Sequence, residues 1–461
     1  MIQHASLAVF VAVLLGGCQH APARWPDRAS VPTETNILPA TFPAAAQSED
    51  FGDSAVQWVG LWSGDHVRLV LVFRPSSTGM HLYGAIPSGP LEGALRLEFD
   101  PGDDSRVSGQ LFRADKSISE APIELRFDSN GQLLLRLGSS THRRLSWVRE
   151  IDPGLLNRVR IIGHRGGDLG LATLCNSKRA IETAWDRGCS GVEIDFLIPH
   201  RRVDGKRIPQ PQDIYAYHVD GLVEGLTGED GCDIAQIELL QPGPIRASAA
   251  LDAWAATELT SLYIDPKLKW LLKTDLKSAG KVVDSIIDKA AHVSEPLDSG
   301  RRILIAAERT CKDETGDLLA RSLAGSEAWS TGVRWMPEFS NMTNPNRFAE
   351  YFFDAAGAAP PSAISLNLLA VHAGLDSPPS WFVKDMNPAD EGRYRETGLP
   401  VIVWNANSES EFRRALRILD RFVQRDGTDA SCGILTDYPH RLAYFLAVSA
   451  RLCLTDPMFG A

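Results

Sequence analysis

Two acidic side chains, Glu193 and Asp195, lie two positions apart in the apolar stretch Gly191-Val192-Glu193-Ile194-Asp195. This stretch predicts a β-strand, in which alternate side chains point to the same face. Two carboxylates that face a protein interior are costly to bury unless they bind a cation. The pair therefore indicates a metal site. No CxxC motif or Cys/His cluster in the sequence suggests zinc.

Other polar groups follow apolar stretches elsewhere in the chain. His164-Arg165 comes after Ile161-Ile162-Gly163, and Thr436-Asp437 comes after Gly433-Ile434-Leu435. The remaining candidates are His218, Asp275, Lys277 and Trp404. These side chains can act together only if the fold brings the ends of separate strands to one place.

The elements predicted after residue 155 would bring the ends of separate strands together. The eight predicted strands are Arg160–Gly166, Gly191–Ile198, Trp270–Leu276, Arg302–Glu308, Val333–Phe339, Ala363–Ala370, Pro400–Ala406 and Gly433–Tyr438. The helices predicted between or after them are Ser177–Gly188, Ser278–Ala291, Ser408–Val423 and His440–Leu446. Eight strands alternating with helices over about 300 residues are typical of a TIM-type (β/α)8 barrel, with a doubly wound open sheet as the alternative. In such a barrel, side chains at the carboxyl ends of the strands meet at one face.

Residues 51–152 are predicted to form a separate, β-rich accessory domain. Alternating stretches such as Leu95–Phe99 and Ile123–Phe127 predict strands, and Asn130-Gly131 predicts a tight hairpin turn. A small antiparallel barrel or a sandwich fits this pattern. Trp58 and Trp62 are expected in its core. Within the following domain, residues 155–461, the basic and proline-containing stretch at 199–211 predicts a hairpin at the barrel mouth.

The N-terminal residues predict export. The apolar run Leu7–Leu15 is too short to span a bilayer, and Leu15-Gly16-Gly17-Cys18 resembles the box of bacterial lipoproteins. Residues 1–18 are then a lipoprotein signal peptide with Cys18 as the lipidation site, and the alternative is an ordinary signal peptide. In the lipoproteins it resembles, a residue such as Gln19 favours the outer membrane, here facing the periplasm. The proline- and alanine-rich residues 19–50 predict a tether.

Composition excludes several classes of protein. The chain has 461 residues, 44% hydrophobic and 23% charged, which is ordinary for globular proteins and excludes a mostly disordered or collagen-like chain. Its net charge of −11 argues against nucleic acid as a partner. Six cysteines besides Cys18 would allow disulfides in an exported protein, but their spacing does not give the pairing.

Taken together, the motifs resemble the glycerophosphodiester phosphodiesterase family over residues 159–450. The matching residues are His164-Arg165-Gly166, Glu193-Ile194-Asp195, His218, Trp404 and Thr436-Asp437-Tyr438-Pro439. Two departures are Cys175-Asn176-Ser177, where the family has Glu-Asn-Thr, and Val219 inserted between His218 and Asp220. Asn176 or Ser177 can still cap the first helix. The resemblance implies metal-assisted hydrolysis of a glycerophosphodiester, or of a lysophospholipid-type substrate, to sn-glycerol 3-phosphate and an alcohol.

The resemblance also implies a role for each residue. Arg165 offers a bidentate fork to phosphate, and His164 and His218 suit general acid and base work. Trp404 would contact the substrate. Glu193, Asp195 and a third carboxylate would bind Mg or Ca, the ions that suit ligation by oxygen.

Two Asp-x-Lys triplets compete for the third ligand, Asp265-Pro266-Lys267 and Asp275-Leu276-Lys277. Because a proline inside a central parallel strand loses a ladder hydrogen bond, Pro266 is expected in a turn before the strand. Asp275 is then the predicted ligand, Lys277 the added positive charge, and Asp265→Asn is expected to behave like the unaltered protein.

Other readings stay open. Thr436-Asp437 is expected to be a structural cap at the barrel mouth, and Glu308 and Glu338 are candidates to line the pocket. A phospholipase C- or D-like phosphodiesterase or lyase is the alternative enzyme. A non-enzymatic envelope binding protein is the alternative of a different class, although both histidines and both carboxylates are present.

Overall fold

The structure is a computed structural model. It describes residues 57–76, 79–100, 103–114, 120–151, 156, 159–167, 169, 174–218, 232–237, 244–268, 271, 276–294, 301–308, 315–324, 326–339, 359–368, 399–422 and 432–455. The predicted signal peptide with Cys18, the predicted tether, and Asp275 lie outside these residues. Among the described residues, no helix is both long and apolar enough to cross a membrane.

The first eight strands form a closed antiparallel barrel in simple up-and-down order, which resolves the choice between barrel and sandwich. They are β1 (Gly60–Gly64), β2 (Val67–Ser76), β3 (Gly79–Ile86), β4 (Gly93–Asp100), β5 (Asp103–Arg113), β6 (Glu120–Phe127), β7 (Leu133–Leu137) and β8 (Arg143–Arg149). The predicted Asn130-Gly131 turn joins β6 to β7, and Gly131 adopts a φ of 73° that favours glycine. Trp58 and Trp62 are buried in the core of this small barrel, as predicted.

Eight parallel strands form the second, larger barrel, and the pairing of its last strand with its first closes it. They are β9 (Arg160–Gly163), β10 (Gly191–Leu197), β16 (Ser261–Pro266), β17 (Arg302–Glu308), β18 (Val333–Phe339), β19 (Ile364–Asn367), β20 (Val401–Trp404) and β21 (Gly433–Thr436). This closed α/β architecture is compatible with the predicted TIM-type barrel and excludes the open sheet.

The described helices are α1 (Lys178–Thr183), α2 (Ile234–Ile237), α3 (Ala247–Ala255), α4 (Leu276–Ser294), α5 (Thr315–Ala324), α6 (Glu409–Phe422) and α7 (Pro439–Thr455). Shorter strands lie between β10 and β16: β11 (Pro199–Val203), β12 (Lys206–Pro209), β13 (Tyr215–Ala216), β14 (Cys232–Asp233) and β15 (Ile245–Arg246). β11 and β12 form the hairpin predicted from the basic stretch, and β14 pairs with β11 at its base.

The prediction that Trp270–Leu276 forms the third strand of the larger barrel was wrong. The strand is β16, and Leu276 begins helix α4. Pro266 is the last residue of β16, and the next residue supplies the ladder bond, because the Lys267 N–H donates to the Phe196 carbonyl over 3.0 Å. A proline is therefore tolerated here because the strand ends at it.

The interior of the larger barrel follows the alternation of its strands. The inward-facing apolar layer consists of Ile162, Tyr263, Leu304, Ala306, Met336, Ala363, Ile402 and Leu435, with Trp404 packed against it. The next inward position on several strands, two residues further along, is polar. The polar residues at these positions are Asp265 on β16, Glu338 on β18 and Asp437 after β21, and their side chains lie towards the barrel mouth.

The two barrels pack against each other. Side chains of β2, β3 and β4 share one apolar cluster with strands of the larger barrel and with α7. The buried Arg74 of the small barrel donates to the carbonyls of Trp185, over 2.6 Å, and Cys189. Its guanidinium lies 4.3 Å from the centre of the Trp185 ring. In the same contact between the barrels, Glu92 accepts from His440 and Arg441 over 3.0 and 2.6 Å.

Candidate metal centre and catalytic site

Three carboxylates meet at the carboxyl ends of β10 and β16. Asp195 and Asp265 are direct register partners on these strands, and Glu193 lies two positions before Asp195 on the same face. One carboxylate oxygen from each residue lies within 4.8 Å of the others. Glu193 and Asp195 are buried, and Asp265 is half-buried. This group of oxygen donors could hold a metal ion.

One lysine, Lys267, bridges two of the three carboxylates. The Lys267 ammonium lies 2.8 Å from Asp195 Oδ1 and also pairs with Asp265. Burial opposes a charge on Lys267, but the charges of Asp195 and Asp265 raise its pKa well above the usual value. The lysine predicted for this role, Lys277, lies instead on the first turn of α4 with its side chain exposed.

The charges of the carboxylates are unequally compensated. Burial would raise the pKa of Asp195, yet the cations around it, Lys267 first among them, hold that pKa well below its usual range. Burial and the nearby charge of Asp195 raise the pKa of Glu193 to about 8. The surrounding cations thus compensate the charge of Glu193 less than that of Asp195. The residues present fit a divalent cation bound through oxygen.

His164 lies beside this group, in a short turn that follows β9. Its Nδ1 is 2.6 Å from Asp437 Oδ1, and its Nε2 is 4.0 Å from Glu193 Oε2. Burial opposes the charged ring, but the hydrogen bond to Asp437 and the charge of Glu193 outweigh it and raise the pKa of His164 to about 9. The ring is therefore held as a proton donor that faces the carboxylates.

Asp437 is itself held by Asn407. The Asn407 amide donates to Asp437 Oδ2, and its oxygen accepts from the Asp437 backbone N–H over 2.8 Å. The expected structural cap is formed by Thr436 alone, whose hydroxyl oxygen accepts from the Tyr438 N–H over 3.0 Å. The Asp437 carboxylate is turned towards His164, so this residue belongs to the site.

The turn that carries His164 and Arg165 has an unusual backbone. Arg165 has a φ of 49°, in the left-handed region, and its N–H donates to Glu193 Oε2 over 2.8 Å. The Arg165 Nε lies 3.7 Å from Asp195 Oδ2. The turn thereby places a backbone N–H and a guanidinium against two of the three carboxylates.

A buried arginine fixes the far end of this turn. Arg187 donates to the carbonyls of Gly166, over 3.3 Å, and Gly167. Its own carbonyl accepts from the Tyr83 hydroxyl of the small barrel over 3.1 Å. A continuous set of hydrogen bonds therefore runs from the small barrel to the turn that follows β9.

Solved structures include matches to this chain. A solved structure assigned as a glycerophosphoryl diester phosphodiesterase, from Silicibacter pomeroyi DSS-3, is 15% identical with a TM-score of 0.37, and the match covers 62% of this chain and 93% of that chain. No family model and no curated protein matches the sequence. The chemistry that this chain can perform is therefore argued from its own side chains.

Asn176, which the sequence predicted only as a possible helix cap, is a site residue. Its amide donates to Asp195 Oδ2 over 3.1 Å, and its oxygen accepts from the Asp195 backbone N–H over 3.0 Å. Ser177 performs the capping expected of either residue, since its hydroxyl oxygen accepts from the Ala180 N–H over 3.1 Å. Asn176 thus fixes the orientation of a buried carboxylate rather than the start of α1.

The remaining predicted residues lie around the same mouth. The Tyr217 N–H donates to the Asp195 carbonyl over 3.0 Å, which brings His218 near Asp195, and the His218 charge helps to lower the pKa of that carboxyl. Trp404 ends β20 and covers the inner apolar layer. The charge of Glu338 acts on Lys267, and Glu308 is the register partner of Glu338.

Proposed function

We propose that this chain is a metal-dependent phosphodiesterase that hydrolyses a glycerophosphodiester to sn-glycerol 3-phosphate and an alcohol. The observation that carries the proposal is the group of Glu193, Asp195 and Asp265 beside His164 and Arg165. Oxygen donors for a cation, a proton donor and a guanidinium for an anion meet in one place, an arrangement that suits metal-assisted hydrolysis of a phosphate diester. The glycerol-containing substrate is inferred from the sequence resemblance.

Glu193, Asp195 and Asp265 would hold the ion, for which Mg or Ca is the proposal because all three donors are carboxylate oxygens. When bound, a divalent cation supplies Lewis-acid stabilisation of the charge that develops on the phosphoryl oxygens. Lys267 pairs with both Asp195 and Asp265 and holds their carboxylates in position, and its charge lowers the pKa of Asp195.

The other side chains have separate tasks. Arg165 would bind the phosphate through its guanidinium. His164, protonated and oriented by Asp437, would donate a proton from Nε2 to the leaving alcohol oxygen, and His218, in its neutral form, would accept the proton of the attacking hydroxyl or water. Trp404 offers an apolar wall for the glycerol carbons.

Removal of divalent ions should abolish activity. With sn-glycero-3-phosphocholine as the substrate, exhaustive dialysis against EDTA is expected to lower turnover by more than about 100-fold, because the buried carboxylates then lack their cation. Mg²⁺ or Ca²⁺ should restore the rate. The measurement is release of glycerol 3-phosphate, with calorimetric titration of the metal as a readout that needs no activity. Unchanged turnover in fully chelated protein would refute the metal centre.

The products separate a lyase from the proposed hydrolase. A phosphodiesterase that uses water releases a phosphate monoester, whereas a lyase leaves a cyclic phosphodiester, and phosphorus NMR distinguishes the two. A protein that binds the diester and releases no product at any metal concentration would be a binding protein instead.

We further propose that Cys18 carries a lipid anchor at the outer membrane, facing the periplasm. The proposal rests on Leu15-Gly16-Gly17-Cys18 after an apolar run. Cys18→Ser should shift the protein from the membrane fraction to the soluble fraction, because the lipidated residue is lost. Mass spectrometry of the mature N-terminus decides the point, since an unmodified N-terminal residue other than Cys18 contradicts it.

A further inference from the structure

The β11–β12 hairpin is a concentrated positive surface on an acidic protein. Residues 201–208 are all exposed. They include four basic side chains and one carboxylate, a net charge of +3, whereas the whole chain carries −11. The roles assigned above to the metal centre and its histidines do not use this hairpin.

Three of the four basic side chains, Arg201, Arg202 and Lys206, are not placed to stabilise the hairpin itself. Arg202 lies directly opposite Arg207 in the antiparallel register, and like charges in this position destabilise a strand pair. In the part of the chain that the structure describes, no carboxylate forms an ion pair with Arg201, Arg202 or Lys206. The placement of this charge therefore points to an anionic partner outside the chain.

Exposed apolar side chains accompany the charge. Val203 and Ile208 are each 43% exposed. Because Arg201 pairs with Ile208 and Val203 pairs with Lys206, these four side chains share one face of the hairpin. Cations and aliphatic groups on one face suit an anionic lipid surface, which takes up both. Single-stranded nucleic acid is bound with aromatic side chains, and residues 201–208 contain none.

The hairpin is tied closely to the barrel mouth. β11 begins four residues after Asp195, and β14 pairs with its base. At ~3.3 Å per residue, the turn at Asp204 lies within about 30 Å of Asp195. Asp204 and Gly205 have φ values of 50° and 75°, as the tight two-residue turn requires. A surface that binds the hairpin would therefore lie close to the opening of the site.

We propose that the β11–β12 hairpin docks the mouth of the larger barrel onto a membrane surface rich in anionic lipid. The cations would contact the lipid phosphates, and Val203 and Ile208 would enter the interfacial region. The proposal does not depend on the reaction, because it concerns only where the barrel mouth is held.

Vesicle sedimentation tests the docking. The full chain with Cys18→Ser, which excludes an acyl anchor, is mixed with vesicles of phosphatidylcholine alone or with an equal part of phosphatidylglycerol. We expect binding to the mixed vesicles only. Arg201→Gln/Lys206→Gln should weaken it by about 30-fold, and Val203→Ser/Ile208→Ser by at least about tenfold. The matched control, Arg144→Gln/Lys281→Gln, removes two exposed cations elsewhere and should bind as before.

Turnover of soluble sn-glycero-3-phosphocholine should be the same in all these variants, and their melting temperatures report whether they are folded. Equal binding of the hairpin variants and the control to mixed vesicles would overturn the proposal. So would equal binding to both kinds of vesicle, or binding to a single-stranded polynucleotide with none to vesicles. If the unaltered chain did not hydrolyse soluble sn-glycero-3-phosphocholine, that result would count against the proposed reaction. It would not affect the conclusion about docking.

Discussion

Asp265→Asn is expected to lower turnover of a glycerophosphodiester by more than about a thousandfold and to abolish calorimetric binding of Mg²⁺. The substitution keeps the size of the side chain but removes one of three carboxylates whose oxygens lie within 4.8 Å of one another. It also removes one of the two acidic partners of Lys267. Because Asp265 is half-buried, the variant should fold, and its melting temperature without metal should stay close to that of the unaltered protein.

Asp275→Asn is the matched control, since it makes the same change in the competing Asp-x-Lys triplet. We expect it to retain activity and metal affinity, which reverses the prediction made from sequence. Both variants are measured by steady-state kinetics and by metal titration. An inactive Asp275→Asn beside an active Asp265→Asn would show that the metal centre is not formed at the ends of β10 and β16.

This reversal shows how far strand patterns can predict the barrel. The strands Arg302–Glu308 and Val333–Phe339 coincide with the predicted bounds, because each carries mainly apolar residues that are buried in the parallel sheet. The second strand is recognisable although Arg334, Pro337 and Glu338 interrupt its apolar residues. The third strand was misplaced because a proline rule for strand interiors was applied to Pro266, which ends its strand. Whether a residue ends a strand depends on its neighbours, here the Phe196 carbonyl that accepts from Lys267.

The candidate site was predictable where residues act through their own strand. Glu193 and Asp195 share a face because of their spacing, and the structure confirms that both are directed into one acidic group. Asp437 and Asn176 were predicted only as caps, because the partners that make them site residues are distant in sequence: Asp437 contacts His164, and Asn176 contacts Asp195. One available signal was parity, since Asp437 lies two positions after the inward-facing Leu435.

The sequence pattern could not predict the contacts between the two domains. The small barrel was predicted as a separate β-rich unit, and nothing in its alternation indicates that Tyr83 reaches the carbonyl of Arg187. Arg187 in turn holds Gly166 and Gly167, next to Arg165. The small barrel therefore supports the turn that carries His164, a role that depends on the packing of two separately predicted domains.

Asp437→Asn is expected to lower kcat by about 100- to 10,000-fold, the range over which a positioned proton donor contributes. KM should change much less, because Asp437 is not placed against the phosphate. The asparagine keeps the shape of the side chain but removes the charge that helps to raise the pKa of His164 to about 9. A proton donor loses activity as the pH rises through its pKa, so the alkaline limb of the kcat profile should move to lower pH in the variant.

Thr436→Val separates this role from a purely structural one. The substitution removes the hydroxyl that contacts Asn407 and the Tyr438 N–H, and a lost buried hydrogen bond should cost about 1 kcal/mol of stability. It leaves the contact between His164 and Asp437 in place. We therefore expect a lower melting temperature with the alkaline limb unmoved. If Asp437→Asn only lowered the melting temperature and left the pH profile where it was, Asp437 would be a cap, as the sequence pattern had suggested. If the alkaline limb of the kcat profile moved in Asp437→Asn but not in Thr436→Val, the Asp437 carboxylate would be the group that holds the proton on His164.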